Sequence, residues 1–151
     1  MTEKPRIKDK EILRLYASGV RDFTDYEIWI NQIVDTSLSG VDWSGQDLSE
    51  SYLEGNDLSG ANLSETGLNQ VCLDGANLSR ANLTGAILAW ATFRCANLTD
   101  ANLTGASLGS AEIVKSNLTN TCLFGADIEG TLFEENIYQN TIWIDGSIRN
   151  D

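Results

Sequence analysis

The sequence predicts an all-β solenoid with a short α-helix capping its N-terminal end. Three observations support this prediction: apolar residues recur every five positions, small residues precede them by two positions, and glycine recurs at one fixed place in the five-residue unit. A period of five matches neither the helical period of 3.6 nor the two-residue alternation of a strand. A chain that buries one residue in five has to turn a corner between successive buried residues.

The five-residue register runs without insertion from Arg21 to Asn150, as 26 units. We call the middle residue of each unit its centre. All 26 centres are apolar or aromatic, in a chain of which 42% is hydrophobic, so the periodicity is the dominant signal. The centres that we single out as structural core are Phe23, Trp43, Leu63, Leu83, Phe93, Leu103, Phe133 and Trp143.

The residue two places before each centre is small in 20 of the 26 units, which predicts a second inward-pointing position with little room. The exceptions lie towards the two ends, where we expect a cap or solvent to relax the size limit. They are Arg21, Tyr26, Asn31, Gln46, Asn56 and Asn136. Nine of the 13 glycines occupy the last place of a unit, where a tight turn benefits from unrestricted φ.

Units such as residues 81–85 (ANLTG) and 126–130 (ADIEG) resemble the pentapeptide-repeat family, and the resemblance covers about 130 of the 151 residues. It implies a right-handed quadrilateral β-helix with four units per coil. Residues 21–151 would then form about 6.5 coils, a rod of roughly 30 Å at the ordinary spacing of strands. Residues 20 apart would stack on the same face.

Residues 1–20 are predicted to form an N-terminal tail and the capping helix. Over residues 8–18 (KDKEILRLYAS), Ile12, Leu15 and Tyr16 fall on one helical face, and Gly19 follows as a C-terminal stop. The C-terminal end shows no such helix, but its last centres are bulky. Either these side chains plug the last coil or that end meets a second copy, so we expect a monomer, or a dimer through the C-terminal coil.

The composition is strongly acidic, with 22 Asp and Glu against 10 Lys and Arg and a net charge of −12. This balance argues against direct nucleic-acid binding and against an anionic membrane surface. No stretch approaches the ~20 apolar residues of a membrane span, and the N-terminus lacks the apolar centre of a secretory signal. A cytoplasmic location is expected, with reduced thiols at Cys72, Cys95 and Cys122, which contain no CxxC pair.

No catalytic, metal-binding or cofactor-binding residue is predicted. The chain has no histidine, which removes His-based catalysis and mixed Cys/His zinc sites. Its carboxylates are expected in spaced outward rows with the role of solvated charge, and its glycines follow the repeat rather than a phosphate-binding loop. A filled rod without loop insertions offers no pocket in which reactive groups converge.

Two of the four expected faces are regular and carry stacked asparagines, which we interpret as structural. They hold Asn62, Asn82 and Asn102, and Asn77, Asn97 and Asn117. The other two faces break the pattern with apolar and aromatic outward residues, including Trp29 and Ile30, which the cap helix could instead cover. The residues predicted to contact a protein partner are Trp90, Ile87 and Tyr52, since exposed aromatic side chains among acids are typical of binding surfaces.

These patterns favour a non-enzymatic scaffold that binds an unidentified protein. The alternative comes from the resemblance: some family members are acidic DNA mimics that bind a type II topoisomerase and protect gyrase from inhibitors. The acidity of residues 21–150, with 18 acids and 5 bases, suits that alternative. The unbroken register and the lack of a C-terminal helical module, through which those members dimerise, count against it.

Overall fold

The computed structural model describes residues 3–151, whose backbone winds into a four-sided β-helix. Parallel bridges join residues 20 apart, so four units make one coil and the centres of successive coils stack. We name the four faces, in chain order around the coil, after one outward residue on each. They are the Asn82, Ile87, Tyr52 and Asn97 faces.

The named elements are short because the chain turns a corner at every fifth residue. They are β1 (Arg6–Lys8), α1 (Asp9–Ala17), β2 (Glu27–Trp29), β3 (Glu112–Val114), β4 (Leu132–Glu134), β5 (Thr141–Ile142) and β6 (Ile148–Arg149). β1 pairs with β2 and β3 with β4, both in parallel, whereas β5 and β6 are antiparallel. Most other rungs of the ladder are isolated bridges.

The stacked centres form a continuous apolar core along the rod. Of the eight centres singled out above, six are fully buried: Phe23, Trp43, Leu63, Leu83, Phe93 and Leu103. Phe133 and Trp143 differ, because they are only partly buried and pack against the end of the core. They lie in the last coil, where no further coil covers them.

One exception to the small-residue rule has a different cause from the one predicted. Asn56 is fully buried, well inside the solenoid rather than at a relaxed end. Its side chain bonds to the backbone of the coil below, donating to the carbonyl of Ile33 and accepting from the N–H of Thr36. Hydrogen bonding, and not spare room, explains a large polar side chain at this position.

The N-terminal end is closed by α1 and by β1, an additional strand that the five-residue pattern does not reveal. Ile12 of α1 is fully buried, and the Tyr16 hydroxyl donates to the carbonyl of Ser39 at 2.9 Å. Ile7 of β1 pairs with Ile28 of β2 and is buried beneath the first coil. Residues 1–2 of the predicted tail lie outside the described residues.

The C-terminal end departs from the predicted repeat, which was extended to Asn150. The chain turns at Gly146 (φ 84°), and β6 runs back antiparallel along the outer edge of β5. Ile148, predicted as the final buried centre, is exposed as a result. Aromatic rings fill the end of the coil, with the Phe133 and Trp143 centroids 5.0 Å apart and Arg149 stacked on the rings of Tyr138 and Trp143.

Candidate protein-binding surface

The Asn82 and Asn97 faces are occupied by hydrogen bonds of the solenoid itself. The Asn82 side-chain nitrogen donates to the side-chain oxygen of Asn62 at 3.2 Å, and that of Asn97 donates to Asn77 at 3.1 Å. Each amide oxygen also accepts from the residue two places on, as Asn82 does from the hydroxyl of Thr84 at 2.7 Å. These polar groups are satisfied internally, which leaves little for a partner on the asparagine rows.

The Ile87 face carries the apolar side chains of the predicted contact surface. Trp90 is 65% exposed and Ile87 is 47% exposed, at the corner and at the outward position of the same five-residue unit. The outward residue one coil below Ile87 is Gly67, which has no side chain, and Ala89 is the small residue between the two apolar ones. Ile87 and Trp90 therefore protrude above a surface of small residues.

Trp90 occupies an unusual backbone conformation for an aromatic residue. It is one of 13 non-glycine residues with positive φ in residues 3–151, and its φ is 62°. The left-handed region disfavours residues with a Cβ and suits Gly, Asn and Asp best. The other residues of this group are Asp35, Glu50, Glu65, Gln70, Arg80, Cys95, Asp100, Ser110, Lys115, Asn120, Glu135 and Asn140. Trp90 is thus the only aromatic residue at a strained corner in the described chain.

Trp29, three coils towards the N-terminus on the same face, is held in place by its neighbours. The Arg6 guanidinium lies 5.0 Å from the indole centroid, and the indole N–H donates to Glu27 at 3.2 Å. The bond from Arg6 lowers the pKa of Glu27, so this carboxylate stays charged beside the ring. Trp29 lines two cavities, of about 270 and 330 Å³.

The prediction that Ile30 points outward beside Trp29 is wrong. Ile30 is buried in the core cluster that also contains Ile12 of α1. The start of α1 covers this corner, and Asp9 accepts a hydrogen bond from the backbone N–H of Asn31 at 3.2 Å. Of the two residues that the cap helix could have covered, Ile30 is buried and Trp29 is exposed.

Tyr52 is 52% exposed on the neighbouring face, two coils below Trp90 and about 10 Å from it along the rod. The outward residue above it is Cys72, whose pKa burial raises, so this thiol stays protonated at neutral pH. Cys72, Cys95 and Cys122 are all free. Trp90 and Ile87 thus form one patch, and Tyr52 lies apart from it across the corner.

A second group of exposed apolar residues surrounds the C-terminal coil, and none of its members is among the residues predicted to contact a partner. The group, which we call the C-terminal collar, consists of Phe124, Leu132, Ile137, Ile142 and Ile148. A sequence signal existed: the asparagine columns end in Ile at positions 137 and 142. The centres stay apolar throughout the repeat, so their pattern does not reveal this change in the outward columns.

Among residues 3–151, no group of three or more Asp, Glu, Cys or His side chains is placed to hold a metal ion. No helix in the same range is long and apolar enough to cross a membrane.

A filled four-sided coil whose centres stack from one turn to the next defines a solenoid repeat protein. The family model for pentapeptide repeats, built on eight copies of the unit, matches residues 33–70, 61–100, 72–109 and 93–130. This chain belongs to the pentapeptide-repeat family, whose members form right-handed β-helix solenoids and are generally non-enzymatic structural proteins. No curated protein matches the sequence.

Several solved structures of the family are similar to this chain. The pentapeptide repeat protein alr5209 of Nostoc PCC 7120 is 31% identical, over 89% of this chain and 90% of that one, with a TM-score of 0.41. HetL of Nostoc sp. strain PCC 7120, a protein involved in heterocyst differentiation regulation, is 25% identical over 95% and 100%, with a TM-score of 0.27. QnrB1, a plasmid-mediated fluoroquinolone resistance protein, is 22% identical over 74% and 64%, with a TM-score of 0.36.

Proposed function

We propose that this chain is a non-enzymatic scaffold that binds another protein through a patch centred on Trp90 and Ile87. The observation that supports the proposal is the conformation of Trp90, which combines positive φ with 65% exposure. Nine corners of the coil use glycine, which adopts this conformation freely. A bulky exposed ring at such a corner raises the free energy of the folded state and adds little packing. We therefore assign its role to contact with another molecule.

The surroundings of the patch favour a partner with basic side chains. Exposed Trp is a frequent energetic anchor at protein interfaces, and its face attracts Arg and Lys. Gln70 and Glu50 precede Trp90 on the same corner, one and two coils away respectively, and Asp47 lies one coil below Gly67 on the Ile87 face. A basic, partly apolar segment would match both the ring and the carboxylates.

The test is affinity capture from source-cell lysate with the wild-type protein and an Ile87→Ser, Trp90→Ser double variant. An Arg80→Ser variant is the matched control, because Arg80 is also exposed at a left-handed corner (φ 59°) but lies on the Asn97 face. Circular dichroism first establishes that all three proteins share one fold. A partner retained by wild type and control but lost by the double variant supports the proposal; equal recovery by all three refutes it.

A second candidate function is the acidic DNA mimic that binds a type II topoisomerase. The observation in its favour is the unbalanced charge of the coil: residues 21–150 hold 18 acids and 5 bases. In the structure Glu27 pairs with Arg6, Glu112 with Arg94 and Glu135 with Lys115, so most of the carboxylates of residues 21–150 have no basic partner. The neutral asparagine rows on two faces count against a continuous phosphate-like array. An unchanged gyrase supercoiling activity and quinolone sensitivity in excess protein would end this candidate.

A further inference from the structure

The first two coils are joined by backbone hydrogen bonds on three faces and are separated on the fourth. The N–H groups of Asp42, Tyr52 and Asp57 each donate to a carbonyl of the first coil, at 2.7, 3.0 and 2.9 Å. On the Ile87 face the equivalent donor is Asp47, whose N–H bonds to no backbone carbonyl in residues 3–151 and forms no bridge to the first coil. One rung of the ladder is therefore missing between β2 and the segment above it.

The side chain of Gln46 occupies the place of the missing rung. Its nitrogen donates at 3.0 Å to the carbonyl of Tyr26, the acceptor that Asp47 would use in a regular coil, and its oxygen lies 3.5 Å from the N–H of Ile28. Asn56 stands at the same place of a unit, two units later, but it is one methylene shorter and the rung beside it is intact. The longer amide side chain accounts for the gap.

The gap forms a slot that opens to the surface. It consists of two adjoining cavities of about 270 and 330 Å³, and Trp29, Ile30 and Ser49 line both of them. Four carboxylates and one ammonium complete the charged lining. They belong to Glu27, Asp47, Asp9, Glu50 and Lys8. The slot is therefore acidic, with an aromatic ring in its wall.

Hydrogen-bond acceptors outnumber donors in this slot. The carbonyls of Asp47 and Ser49 would bond to the coil below in a closed ladder, but they accept no backbone hydrogen bond in the part of the chain that the structure describes. The four carboxylates add further acceptor oxygens. Facing them are the uncommitted N–H groups of Asp47 and Ile30 and the ammonium of Lys8. A cation with several N–H donors is the ligand that these walls suit best.

We infer that this slot binds an arginine side chain of a partner protein, whose guanidinium enters the gap and stacks on Trp29. A guanidinium is planar, which suits a gap between two strands, and it carries five N–H donors for carbonyls and carboxylates. The chain already shows this pairing once. The Arg6 guanidinium lies 5.0 Å from the Trp29 ring centroid, its Nη2 is 2.8 Å from Glu27 Oε1, and Arg6 lines neither cavity. The slot lies three coils from Trp90, so it is a separate contact site and does not rest on the patch proposed above.

The ligand test is an NMR titration of the full chain with N-acetyl-arginine amide, which presents the side chain as a peptide does. The indole N–H of Trp29 and the backbone N–H of Asp47 are the reporters. We expect saturable shifts with a dissociation constant of about 1 mM, because one side chain supplies only part of a protein interface. N-acetyl-citrulline amide, the uncharged isostere, should give no saturable shift, and the lysine analogue should bind about fivefold more weakly or less. No shift with the arginine ligand up to about 50 mM, or an equal response to either control, overturns the inference.

Closing the slot without altering its charged walls tests its cause. Gln46→Ala introduces a small residue of the kind usual at this place, so the N–H of Asp47 should bond to Tyr26 and its hydrogen exchange should slow to that of Asp42 in the same coil. Trp29 and the carboxylates are unchanged, yet the response to the arginine ligand should be lost. A wild-type Asp47 amide as protected as that of Asp42, or a closed variant that still binds, refutes the slot.

Two further variants separate this site from the Trp90 patch. Trp29→Ser removes an exposed ring and should weaken binding of the arginine ligand about fivefold or more. Trp90→Ser leaves the slot intact and should bind as the wild type does. Unchanged binding by Trp29→Ser, or an equal loss in both variants, overturns the inference. A failure of the capture experiment described above would leave these titrations unaffected, because they use no partner protein.

Discussion

The backbone N–H of Thr36 donates to the side-chain oxygen of Asn56, 2.8 Å away and one coil further along the chain. The Asn56 amide nitrogen in turn donates to the carbonyl of Ile33. At many other corners such an N–H and carbonyl bond to each other, as those of Val41 and Leu38 do, whereas Asn136 makes the same pair of side-chain bonds to Ser116 and Ile113. Asn56 therefore replaces one turn hydrogen bond with two of its own, inside a core without access to solvent.

Replacing Asn56 with Asp should destabilise the fold by about 2–4 kcal/mol at pH 7, because a buried carboxylate loses the donor side of the amide and cannot bond to a carbonyl. Burial raises the folded-state pKa of the new carboxyl above its unfolded value. The destabilisation should accordingly shrink as the pH falls and the group becomes protonated. Denaturant unfolding at pH 7 and pH 4 measures the change.

Asn102→Asp is the control for this substitution. Asn102 is exposed and its side-chain oxygen accepts from the backbone and hydroxyl of Thr104, bonds that a carboxylate keeps. We expect a change within about 0.5 kcal/mol at either pH. Equal losses for the two variants would contradict the role assigned to the buried amide.

Replacing Trp90 with Gly should stabilise the fold by about 1 kcal/mol while abolishing partner binding, because glycine adopts positive φ without strain. Arg80→Gly relieves the same strain at φ 59° on another face and should give a similar gain without affecting binding. Thermal or denaturant unfolding measures the stability of both variants. A loss of stability in Trp90→Gly alone would mean that the ring packs usefully on the solenoid.

Stability at acid pH should depend in part on Asp22. The hydroxyl and the backbone N–H of Thr24 donate to its carboxylate and lower its pKa. A carboxyl with a depressed folded-state pKa stabilises the fold above its unfolded pKa, and this contribution is lost as the pH falls through the folded value. We therefore expect acidification below about pH 4 to remove it.

Asp22→Asn isolates this contribution. Asn62 already accepts the equivalent bonds from Ser64 two coils above, so the amide should preserve the geometry without titrating. The melting temperature of the variant should vary less with pH between 7 and 3 than that of the wild type. Parallel curves for the two proteins would show that the Asp22–Thr24 bonds do not contribute.

Trp43 is the centre at which a conservative core substitution should be tolerated. It is fully buried, and its indole N–H has no hydrogen-bond partner in the part of the chain that the structure describes. Phenylalanine creates a cavity but removes an unsatisfied donor that costs about 1–3 kcal/mol. We expect the free energy of unfolding of Trp43→Phe to lie within about 1 kcal/mol of the wild-type value. That of Leu83→Ala should fall by about 2–5 kcal/mol. Urea titrations measure both variants. Comparable losses of stability in Trp43→Phe and Leu83→Ala would show that the unsatisfied indole N–H costs the folded state little.

The period of five predicts the part of the fold that local rules determine. The repeat predicts a buried apolar residue, such as Leu83, at every fifth position. Together with the four-unit coil of the family, it also predicts the asparagines stacked from Asn62 to Asn102. The structure places these residues as expected because each needs only the coil above and the coil below, which carry the same pattern.

The departures arise where a residue meets something other than another regular coil. Ile30 is covered by the start of α1, and Ile148 leaves the coil because Gly146 turns the chain back on β5. The role of Asn56 depends on the corner beneath it, which no single unit reveals. The protein-binding role of Trp90, Ile87 and Tyr52 stays a prediction, since exposure alone does not identify a partner.

The strand Arg6–Lys8 and the helix after it give the rod two unlike ends. Head-to-tail stacking, in which each copy accepts the next, would extend into a filament, as open heterologous contacts do. That mode needs a free strand edge at both ends, and here the N-terminal end is already covered by the chain's own first residues. Stacking of this kind is therefore blocked at the N-terminal end, so a concentrated solution of this protein should contain no fibres that grow along the rod axis.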